Sequence, residues 1–288
     1  MTLLVFGAGG QVGRAVIEQA RGRAIGLDRA ACDIRDERAV MRAFAVNDVA
    51  AAVNCAAYTA VDRAESEREQ AFAVNAQGAG TVARVAASRG TPVIHLSTDY
   101  VYAGDRAGAL DEATPIAPLN AYGASKAAGD AAVTAANPAH IVLRVSWVFG
   151  VHGGNFVKTM LRLGRERSEL RIVADQHGGP TEAGDIAAAI LVIAGAFRAP
   201  GFDGWGVYHF AGAPATNWCE FAQEIFARAP PPRPKLTPIP TRDYPTPARR
   251  PLNSTLDCRK IAQHFAIDQP DWRVALARVM AALEQGVA

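Results

Sequence analysis

Tyr122 and Lys126, in Asn120-Ala-Tyr-Gly-Ala-Ser-Lys126, are spaced to share one helix face as an acid–base pair. A free phenol has a pKa of about 10, so bringing it near neutrality takes roughly 3 units, or about 4 kcal/mol. A cation one helical turn away supplies part of that, and a bound nicotinamide cation supplies more. Upstream, Ser97-Thr98-Asp99 ends a short apolar run, where the Thr98 hydroxyl can hydrogen-bond and orient a substrate carbonyl. Tyr and Lys also fall at this spacing by accident, and it is the preceding apolar strand with its terminal hydroxyl that gives the pair weight. At the start of the chain stands Gly7-Ala-Gly-Gly-Gln-Val-Gly13, spaced G-x-x-G-x-x-G at Gly7, Gly10 and Gly13. Glycines between a strand and a helix permit a tight turn and let a pyrophosphate approach the backbone. The helix N-terminus adds free N–H groups and a positive dipole end. Phosphate cradle and acid–base device together point to hydride transfer.

Asp28 closes the next strand, where a carboxylate would take the adenosine ribose hydroxyls and repel a 2′-phosphate. Arg29 beside it could accept that phosphate, so NADPH and NADH both stand as cofactors. Asp33 and Ile34 lie where a loop would meet adenine, and are read equally well as an ordinary turn before a helix. Asn54-Cys-Ala-Ala-Tyr-Thr59 follows a strand with small residues that let backbone approach a flat ligand. His95 reads as a packed strand residue, and Glu65, Glu67 and Glu69 as a solvated helix start.

These residues need a scaffold, and the first half alternates short apolar runs with helical patterns. Strands are predicted at Leu3–Phe6, Ala24–Leu27, Ala51–Cys55, Val93–Leu96 and Ile141–Val145, with helices at Gln11–Ala20, Glu37–Phe44, Glu67–Ser88 and Tyr122–Ala135. That alternation predicts an α/β, Rossmann-like doubly wound parallel sheet, with a smaller C-terminal substrate-binding α/β region. The expected division is a dinucleotide-binding unit over 1–150 and a mainly substrate-binding region over 151–288. In the second half, helices are expected at Phe156–Arg167, Ala183–Phe197, Arg259–Phe265 and Trp272–Gln285. A strand is expected at Leu170–Ala174, and another at Gly206–Phe210 returns to the main sheet. Proline-punctuated loops at Pro230–Pro234 and Arg242–Pro251 suggest a binding surface.

A net charge of +2 from 30 basic and 28 acidic side chains gives no reason to expect nucleic acid or an anionic membrane as partner. The scattered Cys32, Cys55, Cys219 and Cys258 lack metal or disulfide spacing, so no metal site is expected. The apolar stretch Ile186 to Phe197 is shorter than the roughly 20 residues a bilayer span requires. A soluble, cytoplasmic protein is the expectation.

Several segments together resemble the extended short-chain dehydrogenase/reductases, and among them the dTDP-4-dehydrorhamnose reductase family. They are Phe6–Gly13, Ala56–Asp62, Ser97–Tyr102, Leu143–Gly150, Asp175–Thr181 and Arg250–Leu256. The resemblance implies cofactor contacts at Gly10, Gln11 and Val12 for the phosphates, Asp28 for the ribose, Asp33 and Ile34 by adenine, and Ala57, Tyr58, Thr59 and Leu96 along the cofactor. It implies Thr98, Asp99 and Trp147 against a dTDP-deoxysugar, with Tyr122 and Lys126 completing the catalytic group. Tyr58 stands where some relatives carry His, which leaves only a backbone role for that position. The activity implied is reduction of a 4-keto sugar nucleotide, dTDP-4-dehydro-6-deoxy-L-mannose, to dTDP-L-rhamnose, by a monomer or homodimer. Arg249 and Arg250 are read either as diphosphate ligands or as solvated loop arginines. Two rivals remain: an epimerase or dehydratase with retained NAD, and a non-catalytic subunit resembling the regulatory subunit of methionine adenosyltransferase.

Overall fold

The computed structural model describes residues 2–45 and 48–286. The first half runs β1 (Thr2–Phe6), α1 (Gln11–Ala20), β2 (Ala24–Leu27), α2 (Glu37–Ala43), β3 (Val49–Asn54), α3 (Arg68–Phe72), α4 (Ala79–Ser88), β4 (Val93–Thr98), α5 (Ala121–Ala136) and β5 (His140–Val145). The second half runs β6 (Val148–Phe149), α6 (Phe156–Glu166), β7 (Glu169–Val173), β8 (His177–Gly178), β9 (Thr181–Glu182), α7 (Ala183–Ala196), β10 (Gly206–Phe210), β11 (Thr216–Asn217), α8 (Trp218–Arg228), β12 (Lys235–Ile239), α9 (Arg259–Phe265) and α10 (Trp272–Glu284). Six strands form one sheet in the order β10-β5-β4-β3-β1-β2, every neighbouring pair parallel. The chain crosses from β2 over β1 to reach β3, so the switch point lies between β1 and β3, where open α/β sheets hold their ligands.

Alternate strand residues explain why helices cover both faces. Leu3, Val5, Ala51 and Val53 pack against Val12 and Val16 of α1 and Ile186 and Ile190 of α7. Leu4, Phe6 and Ala52 point the other way, onto Val40, Val82, Val85 and Val133. With neighbours on both sides, these strands read as continuous apolar runs. A separate cluster joins Met160 of α6, Leu170 of β7, Phe221 and Ile225 of α8, and Trp272 and Leu276 of α10. Beside it β7 and β12 form their own parallel pair. Among the described residues no helix is long and apolar enough to cross a membrane.

The strand β12 and the two-residue strands β6, β8, β9 and β11 have no counterpart in the sequence expectation, and two helical stretches also differ from it. The predicted helix Glu67–Ser88 contains a π-helical stretch, Ala73–Gly78, between α3 and α4, and such widened turns recur at functional sites. Helix α8 lies in a stretch for which the sequence reading gives no element. Its signal is an N-cap, Asn217, whose side chain accepts from Glu220 N at 2.9 Å with an acid at the N3 position; the surrounding prolines obscure it.

Candidate active site

The glycine turn is set by close approach. Gly7 has φ +79, and a Cβ there would stand 2.5 Å from Ala56 N at the end of β3; one at Gly13 would stand 2.3 Å from the Gly7 carbonyl. Turn, α1 and the β3 loop therefore close on each other only without side chains. Gly10 is different: its Cβ would meet nothing nearer than the Gly7 carbonyl at 3.4 Å and would fill the cavity in front of α1. Among the described residues no side chain caps α1, which leaves the first-turn N–H groups free for an anion. A dinucleotide pyrophosphate fits this cradle.

Three adjoining cavities form one trough. The first, about 420 Å³, is lined by Gly7, Gly10, Asp28, Asp33, Ile34, Ala57 and Tyr58. The second, about 540 Å³, brings together Gly10, Gln11, Val12, Gly13, Ala57, Thr59, Leu96, Thr98, Asp99, Tyr122, Lys126 and Trp147. The third, about 870 Å³, shares Tyr100 and Trp218 with the second and runs past Arg250 between α6, β7 and the loop after β12. Residues far apart in sequence thus line one continuous groove at the carboxyl ends of the strands.

At the adenosine end, Asp28 accepts from Ala31 N at 2.8 Å. Asp33 pairs with Arg35 at 2.5 Å, and that guanidinium holds its carboxyl down to about 2; its charge is spent on the turn. The Tyr58 hydroxyl donates to Glu67 at 2.7 Å, away from any backbone role. Its amide and carbonyl are both held by Asn75, at 2.7 and 3.0 Å. Asn75 sits in the π-helical stretch and also donates to Ser125 of α5 at 2.9 Å. Nothing in the sequence marks an Asn inside a helical run as the clamp between these segments.

Helix α5 begins at Asn120, whose side chain accepts from Gly123 N at 2.7 Å, and Glu65 accepts from Ala121 N at 2.7 Å. Glu65 is thus a second cap on the helix that carries Tyr122, a role absent from its reading as a solvated acid. A Cβ on Gly129 would stand 2.1 Å from the Asn75 carbonyl, so this glycine lets α5 approach closely enough to aim its side chains. Tyr122 packs edge-on against Tyr100 at 5.8 Å. Desolvation pushes its phenol above the ordinary value, against the lowering influence of the Thr98 hydroxyl, while Asp99 and Asp130 push it further up. The phenol pKa thus stays above its ordinary value instead of approaching 7, because desolvation outweighs its one lowering contact, the Thr98 hydroxyl. Thr98 donates to Asp99 at 2.9 Å, and burial raises the Asp99 carboxyl to about 6.

Lys126 is 2% exposed and donates to the Leu96 carbonyl at 2.7 Å. Burial lowers it to about 8, opposed by Asp130. Asp130, one further turn along α5, pairs with Arg144 at 3.1 Å, and Arg144 donates to the Tyr102 hydroxyl at 2.6 Å. The spacing Tyr122, Lys126, Asp130 continues the i, i+4 step on one face, and that repeat was the available signal for this buried acid.

Trp147 has φ +47, uncommon for a bulky residue and typical of constrained sites. Its ring stacks on Trp218 at 3.6 Å and its Nε1 donates to Ser254 at 3.2 Å. Arg250 is held by Asp62 through paired contacts of 2.5 and 2.8 Å while bordering the third cavity. Arg249 is exposed, and its carbonyl accepts from Asn120 at 2.7 Å. Among the described residues no group of three or more His, Cys, Asp or Glu is arranged to hold a metal.

The doubly wound parallel sheet with its ligand trough at the switch point is a Rossmann-like architecture. Comparison with known proteins makes this specific. A family model described as the RmlD substrate binding domain matches residues 1–285. A dTDP-4-dehydrorhamnose reductase of Aggregatibacter actinomycetemcomitans is 41% identical, covering 98% of this chain and 99% of its own length. The crystal structure of a dTDP-4-dehydrorhamnose reductase from Clostridium acetobutylicum superposes with a TM-score of 0.93 at 33% identity, covering 99% of this chain and 100% of that one. That of Bacillus anthracis, solved in complex with NADP, has a TM-score of 0.90 at 34% identity and covers 98% of this chain and 99% of that one. The chain belongs to the dTDP-4-dehydrorhamnose reductase family.

Proposed function

We propose that this protein reduces the 4-keto group of dTDP-4-dehydro-6-deoxy-L-mannose to give dTDP-L-rhamnose, using NADPH or NADH. The observation that carries this reading is the convergence of Thr98, Tyr122 and Lys126 with the Gly10–Gly13 turn on one cavity, in a member of this family. When bound, a reduced nicotinamide supplies the hydride. The cofactor phosphates would rest on Gly10, Gln11 and Val12, its adenosine ribose on Asp28, and its adenine beside Asp33 and Ile34. Ala57, Tyr58, Thr59 and Leu96 would border its length with backbone and apolar surface.

Tyr122 acts as the general acid. A phenol held above its ordinary pKa stays protonated at neutral pH and gives that proton to the oxygen forming at C4. With substrate bound, Thr98 would release its bond to Asp99 and turn its one hydroxyl proton toward that oxygen to orient it. Lys126 in its charged form holds the nicotinamide ribose hydroxyls. The 1–150 segment serves mainly the cofactor and 151–288 mainly the nucleotide sugar, whose uncharged ring would lie against the Trp147 face. In this reading the enzyme works in the cytoplasm, as a monomer or homodimer.

The test supplies the 4-keto sugar nucleotide with NADH or NADPH and follows loss of absorbance at the reduced nicotinamide band. Both donors should serve, and Asp28→Ala should shift the ratio of specificity constants toward NADPH, because the carboxylate no longer repels a 2′-phosphate. An unchanged ratio removes Asp28 as the ribose ligand. Trp147→Ala should weaken nucleotide-sugar binding by roughly 5- to 150-fold, about 1–3 kcal/mol of stacking and burial, with little effect on cofactor affinity. Proportionate loss of both affinities, with a sharp fall in Tm, would mean that Trp147 only packs against Trp218.

A further inference from the structure

Behind Lys126 lies a buried histidine that the mechanism above does not use. His95, on β4, is fully buried, with its Nδ1 3.1 Å from Asn54 Nδ2 and its Nε2 3.3 Å from Lys126 Nζ. The Asn54 amide is oriented by the backbone, because Ala56 N donates to its Oδ1 at 3.2 Å. Its NH2 therefore faces the imidazole, and Nδ1 must accept. A neutral imidazole that accepts at Nδ1 carries its proton on Nε2, a tautomer assigned here from the bonding network. Burial, followed by the Lys126 charge, disfavours the imidazolium, so the ring is neutral.

We infer that His95, locked as the Nε2–H tautomer by Asn54, is a positioning residue that donates to Lys126 and balances its neutral amine against its ammonium form. An N–H and an ammonium are both donors and cannot hydrogen-bond each other, whereas the lone pair of a neutral amine accepts from Nε2–H. Asp130 pulls the other way. Its Oδ2 is taken by Arg144, but its Oδ1 is buried, lacks a hydrogen-bond partner among the described residues, and stands 3.8 Å from His95 Nε2. The groups facing Lys126 are thus His95 from β4, Asp130 from its own helix, Cys55 after β3, and the Leu96 carbonyl. Arg144 from β5 and Ser97 from β4 act on Asp130. Burial lowers Lys126 to about 8 with Asp130 and Cys55 opposing, and the His95 contact acts on the amine beside these. The inference rests on the proposed role of Lys126 for its kinetic consequence, and on the Asn54–His95–Lys126 geometry for its chemistry.

The test has two arms. In the full-length protein with 15N-labelled histidine, long-range 1H–15N spectra should give His95 the Nε2–H pattern at pH 7. Its shifts should move as Lys126 titrates near pH 8, and that movement should vanish in Lys126→Met. An Nδ1–H tautomer or an imidazolium at pH 7 would overturn the inference, whether or not the protein reduces the sugar. The second arm is the pH profile of reduction. Loss of the Lys126 proton ends activity on the basic side. His95→Asn keeps an acceptor for Asn54 but removes the donor toward Lys126, so the amine gains basicity and the limb should move up by roughly half to one pH unit, the worth of one hydrogen bond. His95→Gln, with an amide N–H near the Nε2 position, should return the limb toward the wild type. A limb that stays fixed in a folded His95→Asn variant would overturn the inference. A wild-type protein that fails to reduce the 4-keto sugar overturns the proposed function instead, and the spectra still decide the role of His95.

Discussion

Replacing Tyr122 by Phe should cut turnover by about 10²–10⁴-fold, the usual worth of a positioned general acid. The change removes only the hydroxyl, so the edge-on contact with Tyr100 is kept and the fold should be unaffected. Cofactor affinity should be nearly unchanged, because Lys126 keeps its bond to the Leu96 carbonyl and the glycine turn keeps its backbone N–H groups. The loss should therefore appear in kcat, with little change in the Kd of NADPH or NADH measured by fluorescence titration. Near-normal turnover in Tyr122→Phe would mean that another group, or water, protonates the C4 oxygen. The phenol's own ionisation does not set the pH limit of reduction near neutrality. Desolvation holds its pKa up, so the acid form persists through neutral pH and its loss cannot limit reduction near pH 7.

Arg144→Met should lower stability by about 3–5 kcal/mol, the usual cost of breaking one partner out of a buried pair. Arg144 is 4% exposed and is the counter-charge of Asp130. It also supports the Tyr102 hydroxyl, which meets His209 Nε2 at 2.7 Å. Without it Asp130 is left buried beside Lys126, Ser97 and a neutral imidazole. At a few degrees per kcal/mol for a chain of this size, Tm should fall by roughly 6–15 °C. The double variant Arg144→Met, Asp130→Leu should regain much of that stability, since replacing both members of a buried pair by apolar groups is often close to neutral. It should not regain turnover, because Lys126 then lacks its carboxylate. Thermal unfolding of the three proteins, beside their kcat values, checks this. A Tm within 2–3 °C of wild type in Arg144→Met, well short of the fall expected for a broken buried pair, would mean that water or relaxation satisfies Asp130.

The sequence by itself determined the elements and the local chemistry. The strands at Ala24–Leu27 and Gly206–Phe210 and the helices at Gln11–Ala20 and Arg259–Phe265 fall where hydrophobic period and glycine punctuation put them. The parallel, doubly wound sheet follows from their alternation. The spacing of Gly7, Gly10 and Gly13 and of Tyr122 and Lys126 is legible because each motif is local: one turn or one helix face carries it. What only the tertiary structure decided depends on contacts between distant segments. Sequence periodicity does not reveal that Asn75 clamps Tyr58, because the clamp arises from a widened helical turn. It does not reveal that Glu65 caps α5, since the acid and the helix it caps are joined only by folding. Pairing of Arg250 with Asp62, and of Trp147 with Trp218 at the start of α8, likewise needs segments distant in sequence to meet. His95 is the sharpest case. In sequence it is one polar residue in an apolar strand, and a packed residue it is; its tautomer and its bond to Lys126 are fixed by Asn54 on the neighbouring strand and by the helix packed above. Local spacing sets which groups are available, and burial among specific neighbours sets their protonation.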